Sequence, residues 1–102
     1  MKKITIQFTG DDSRAVKRVV SGLYEELQYG ALDEHVGSID EDGDTGYGIK
    51  KSMDSIIITL QNRNRRMLNR VAMGLINVLT DGMIDEHIEA MDQGSEIEYE
   101  VY

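Results

Sequence analysis

The 102-residue chain contains no cysteine and no proline, and it has no long apolar run. Without cysteine there is no disulfide framework, no zinc-finger spacing and no thiolate chemistry. The redox compartment is therefore unconstrained, and the cytoplasm is the simplest expectation. The longest apolar stretch, Val71 to Ile76, is interrupted by Gly74 and closed by Asn77, far short of the roughly 20 residues that a membrane span requires. The opening MKKITIQFTG turns polar too soon for the apolar region of a signal peptide. A soluble protein without membrane association is expected.

Also missing are the short motifs of common active sites. There is no P-loop, no GxGxxG, no nucleophile elbow and no HExxH. The serines Ser13, Ser21, Ser38, Ser52, Ser55 and Ser95 have no base near them in sequence. The run Asp40, Asp42 and Asp44 has the look of a calcium loop, but the positions that need glycine and glutamate hold Thr45 and Lys51. An acidic turn is the better reading, and neither an enzyme nor a cofactor is expected.

Charge is abundant and unevenly placed. With 19 acidic and 11 basic residues the net charge is −8, which disfavours non-specific binding to nucleic acid and favours basic partners. The basic residues gather at the starts of two halves and the carboxylates at their ends, Asp33 to Asp44 and Asp81 to Glu100.

Those halves are copies. Offset by 52 positions, residues 4–50 align without a gap on residues 56–102, and 14 of the 47 pairs are identical, so the repeat frames everything else. The pairs include Arg14/Arg66, Arg18/Arg70, Gly22/Gly74, Gly30/Gly82, Asp33/Asp85, His35/His87, Asp40/Asp92 and Tyr47/Tyr99. A single domain, 1–102, made of pseudo-symmetric repeats 1–50 and 53–102, follows.

Each copy opens with a β-rich segment, Lys3 to Phe8 and Ser55 to Leu60. The first alternates apolar and polar residues; the second is apolar throughout Ile56 to Ile58, which predicts a more central strand. A helix follows, with Val16, Val19, Val20, Leu23 and Leu27 mirrored by Leu68, Val71, Ala72, Leu75 and Leu79. Asp12 and Asn64 suit its N-cap, and Gly30 and Gly82 a left-handed terminus. Gly22 and Gly74 fall inside the helices, where glycine costs about 1 kcal/mol relative to alanine. Their place beside the apolar stripe suggests that the two helices cross there, related by a pseudo-twofold axis; inherited, tolerated glycines are the alternative.

The third segment admits two readings. Leu32, His35, Val36 and Ile39, like Ile84, His87, Ile88 and Met91, fit a helical spacing, whereas Gly37, Ser38 and the Asp42-Gly43 pair favour a hairpin. The hairpin is preferred. A last strand follows, with Ile97, Tyr99 and Val101 alternating with Glu96, Glu98 and Glu100. The expected class is α+β: a tandem duplicated βαββ unit forming an antiparallel-dominated sheet with two helices on one face. Repeats of βααβ type are the alternative.

Three constellations are candidates for function. The repeated Asp-Glu-His places two histidines and several carboxylates where a pseudo-twofold could converge them on a metal. Each histidine is single in its repeat, however, and a structural role with no metal is expected. The arginines Arg63, Arg65, Arg66 and Arg70 start the second helix, where the macrodipole disfavours cations and invites an anion. The aromatics of a single-strand binder are missing there, so a solvated face competes with a nucleic-acid contact. Glu96, Glu98 and Glu100 share one strand face at a spacing of roughly 6.6 to 6.8 Å, twice the strand rise. This is comparable to successive phosphates along a nucleic-acid strand, and an ordinary polar face is the alternative.

A short acidic chain without cysteine, proline or catalytic motif, carrying the runs DEDGD and SEIEYE, resembles the counter-defence inhibitors of phages and mobile elements, of anti-CRISPR or anti-restriction type. The resemblance lies in general character across the whole chain. It implies a non-enzymatic inhibitor acting in the cytoplasm, that of the host cell if phage-encoded. Such an inhibitor would occupy the basic nucleic-acid channel of a defence enzyme with Glu96, Glu98, Glu100, Asp40, Asp42 and Asp44. A small nucleic-acid-binding module that contacts RNA through Arg63, Arg65, Arg66 and Arg70 is the second expectation. A structural or assembly protein, monomeric or a homodimer, is the third.

Overall fold

The computed structural model describes residues 1–91 and 96–102. Strand β1 (Lys2–Gly10) buries Ile4, Ile6 and Phe8 and leaves the residues between them at least partly open, the period-2 pattern of a strand covered on one side. Its counterpart β3 (Ser55–Gln61) buries Ile56, Ile58 and Leu60 in the same way. Edge strands β2 (Gly46–Lys51) and β4 (Ile97–Val101) complete an antiparallel sheet of order β2-β3-β1-β4. Both repeats therefore contribute a central strand, and β3 is no more central than β1, contrary to what its unbroken isoleucines predict.

The strand register exposes the symmetry. Repeat-equivalent Thr5 and Ile57 are paired with each other, and Ile4 faces Ile58 while Ile6 faces Ile56. The pseudo-twofold axis thus passes between Thr5 and Ile57. The edges obey it too, since Ile6 opposite Val101 is repeated as Ile58 opposite Ile49. Each βαβ unit is split by a central strand of the other, so neither repeat has a sheet of its own.

Helix α1 (Ser13–Glu26) begins at Asp12, whose carboxylate accepts the amides of Arg14 and Ala15 at 3.0 and 3.3 Å. Helix α3 (Arg65–Val78) begins identically at Asn64, with Arg66 and Met67 donating at 3.1 and 3.2 Å. The chain then turns in a wide loop at Leu27–Ala31 and at Leu79–Met83, closed by Leu32 N–H donating to Leu27 C=O and Ile84 N–H to Leu79 C=O. Gly30 and Gly82 stand at φ of 144° and 112°, conformations that a side chain would strain.

Beyond each turn lies a second helix, α2 (Leu32–Ile39) and α4 (Ile84–Met91). The hairpin expected for this segment is therefore incorrect, and each repeat is βααβ within an α+β fold. Burial outweighs local propensity here. Leu32 and Val36 are buried in the common core, each gaining roughly 1.5 to 3 kcal/mol, against about 1 kcal/mol for a helical Gly37. Ser38 satisfies itself by donating its hydroxyl to His35 C=O at 2.8 Å. Asp42-Gly43 does form a turn, with Gly43 at φ 75°, but it joins a helix to a strand.

Helices α1 and α3 lie against the sheet face of Ile4, Ile6, Phe8, Ile56, Ile58 and Leu60, and Leu32, Val36 and Ile84 of the second helices join the same core. The other face, with Lys3, Thr5, Gln7, Ile57 and Thr59, carries no element among the described residues. The helices cross between repeats: α1 packs on α4, and α2 on α3. Gly22 accordingly meets His87 and Met91, and Gly74 meets His35 and Ile39. The glycines do mark helix crossings, but each crossing is with the second helix of the other repeat, in place of the direct crossing of the two long helices that the sequence suggests. Asp92 and Ser95 lie outside the described residues.

Candidate functional site

The side chains of β4 are sorted by its pairing with β1. Ile97, Tyr99 and Val101 are half-buried and pack on the core. Glu98 and Glu100 sit opposite Thr9 and Gln7 on the helix-free face and are exposed, as is Glu96 just before the strand. Asp85 of α4 joins them, lining one hollow with Thr9, Ile97, Glu98, Tyr99 and Glu100. Sequence reasoning missed Asp85 as a member of this edge. Its signal was the Asp33/Asp85 and Tyr47/Tyr99 identities, which together anchor each second helix to its edge strand.

The anchors are visible on both sides. Tyr47 donates its hydroxyl to Asp33 at 2.7 Å, and that bond, more than burial, pushes the phenol pKa up. Tyr99 faces Asp85 in the equivalent place; burial first and the carboxylate second raise its pKa. Tyr99 also packs on Phe8, with ring centres 6.3 Å apart.

The acidic turn does not extend this row. Asp42 and Asp44 are exposed, but they precede β2, at the opposite edge of the sheet from β4. Asp40 leaves the candidate surface altogether, with 2% of its area exposed. Its carboxylate accepts the Thr45 amide at 2.7 Å and the Thr45 hydroxyl, and that hydroxyl above all holds its pKa below the usual carboxylate range. Asp40 is thus the peg that closes the α2–β2 turn, a role that a carboxylate run alone does not reveal.

Arg63, Arg65, Arg66 and Arg70 are all exposed. Among the described residues the single ion pair is His87–Glu26, so none of these guanidinium groups is within 4 Å of a carboxylate there. Arg63 shares its hollow with Asp44, Asn62 and Asn64, which places one basic and one acidic candidate side by side.

His35 and His87 go to separate crossings. His87 Nδ1 lies 3.2 Å from Glu26 Oε2. The Nε2 atoms of both histidines are buried without a hydrogen-bond partner, each turned toward the glycine backbone of the other repeat. Burial holds the His35 pKa below its ordinary value, opposed by the nearby Gly74 backbone. Among the described residues no three histidine, aspartate or glutamate side chains come together as metal ligands would. No helix among them is long and apolar enough to cross a membrane. Neither a protein-family model nor any curated protein matches the chain.

Proposed function

We propose that the protein is a non-enzymatic inhibitor that presents the acidic β4 edge to the basic nucleic-acid channel of a defence enzyme. The supporting observation is the pair Glu98 and Glu100, exposed on an edge strand whose alternate residues anchor it in the core, with Glu96 exposed just before it. Carboxylates on a strand repeat at roughly 6.6 to 6.8 Å, a spacing that phosphate-binding cations would meet in register. The strand holds them on a rigid element, so little ordering cost accompanies binding. Asp85 adds a carboxylate at the same edge, while Asp42 and Asp44 offer a separate contact beyond β2.

Four exposed arginines, none in an ion pair among the described residues, favour a second reading, direct contact of the start of α3 with RNA. One pair of variants separates the two. Replacing Glu96, Glu98 and Glu100 by glutamine should abolish inhibition of a basic nuclease target recovered by pull-down and leave any RNA gel shift unchanged. Replacing Arg63, Arg65 and Arg66 by alanine should do the reverse. An inhibitor unaffected by the glutamine variant and destroyed by the alanine variant would reject the acidic-edge reading.

A further inference from the structure

The two sheet edges carry opposite charge. On the helix-free face β4 presents Glu98 and Glu100, whereas β2 presents Gly46, Gly48 and Lys50 at the repeat-equivalent places and beyond. Lys50 lies opposite Ile57 and is exposed. Among the described residues each edge strand pairs on one side only, β2 with β3 and β4 with β1. Each therefore offers a row of open backbone donors and acceptors, the usual template for a further strand.

Direction permits the match. In the order β2-β3-β1-β4 with all neighbours antiparallel, β2 runs opposite to β4. A second copy set beside the first in the same orientation then brings its β2 antiparallel to β4 and keeps all helices on one side. We propose that β4 of one copy pairs with β2 of a second copy, joined by Glu98 to Lys50.

The side chains fit one register. With Glu98 opposite Lys50, Tyr99 meets Ile49 and Val101 meets Tyr47 on the helix side. On the open side Glu100 lies across from Gly48, diagonal to Lys50, and Tyr102, 63% exposed, covers Gly46. Opposite charges and aromatic contacts across a strand pair are favourable, and like charges are not. Pairing of two β4 strands would set glutamate against glutamate. Pairing of two β2 strands would set Lys50 against Asp44, which is exposed just before β2, but it closes at a dimer and leaves both β4 edges open. The charges thus admit the head-to-tail pairing and oppose that of two β4 strands, and a head-to-tail contact alone uses both edges and continues into an open series.

Sedimentation velocity of the full chain tests this. A one-strand contact belongs to the weak end of interfaces, so the concentration series should span about 10 μM to about 1 mM. The average mass should rise with concentration, pass beyond a dimer and fall back as salt is added. Glu98→Lys and Lys50→Glu should each weaken association by roughly tenfold, with unchanged melting curves because both sites are exposed. An equimolar mixture of the two variants should regain it, since every contact between unlike copies again sets a lysine against a glutamate. A chain that stays monomeric at the highest concentration overturns the proposal. So does association that both single variants retain, or a mixture no better than its components. The proposal does not rest on the inhibitor reading, because no target enters the measurement.

Discussion

His87 of the second repeat rests on Gly22 of the first, its Nε2 2.7 Å from where a Cβ on that glycine would project. The equivalent contact is looser in kind. A Cβ on Gly74 would meet the end of Ile39 at 2.5 Å and His35 Nε2 at 3.3 Å. The Ile39 methyl is the tip of a flexible side chain, whereas the His87 ring is held by Glu26 at 3.2 Å.

Substitution should therefore break the symmetry of the pair. Alanine gains about 1 kcal/mol of helix propensity at either site, and overpacking costs typically 1 to 3 kcal/mol. Gly22→Ala should be net destabilising by up to about 2 kcal/mol, and Gly74→Ala close to neutral. Urea unfolding of both variants checks the order. If the His87 ring causes the cost, Gly22→Ala combined with His87→Ala should be less destabilised than the two single changes predict.

These contacts also mark what the sequence could and could not show. The repeat, the caps at Asp12 and Asn64, the core stripe and the polarity of β4 all depend on local pattern and periodicity, and each is readable in the residue order. The second helices are not, because Gly37 and Ser38 argue locally for a turn and only burial of Leu32 and Val36 against the other elements reverses that. Partnership across repeats is hidden as well. Nothing near Gly22 in sequence indicates that His87 is its neighbour, and nothing in DEDGD distinguishes the buried Asp40 from the exposed Asp42 and Asp44.

Asp40 and its neighbours should separate cleanly in unfolding experiments. Asp40→Ala removes the acceptor of the Thr45 amide and hydroxyl and should lower the urea midpoint markedly, whereas Asp42→Ala and Asp44→Ala should leave it unchanged. Since the folded pKa of Asp40 is depressed, its stabilisation is present above the unfolded value and is lost as pH falls through the folded one. Part of the acid sensitivity of the parent below about pH 4 should therefore vanish in Asp40→Asn.

The His35 side chain gives a second, separate pH window. Its folded pKa is lowered by burial, so the neutral ring is favoured in the folded state. The stabilisation is full above the ordinary value of about 6.5 and declines as pH drops through the folded pKa, because the unfolded chain takes up the proton more readily. Urea midpoints should fall between about pH 7 and pH 5, and more steeply for the parent than for His35→Gln. Equal slopes for the two proteins would mean that other groups account for the loss.

The β4 carboxylates cannot serve a target and a second copy at once, and this makes the two proposals separable in one set of measurements. Lys50 lies on β2, at the far edge of the sheet from Glu98. Lys50→Glu should therefore weaken self-association by roughly tenfold while leaving affinity for a basic target intact or slightly improved, since copies compete less for the same strand. Glu98→Lys should weaken both. Added target should dissolve the parent assemblies, and both interactions should weaken with salt as screening shortens the reach of the charges. Retained assembly at saturating target would show that the two contacts use different surfaces. Loss of target binding in Lys50→Glu would move the recognition surface from β4 to β2.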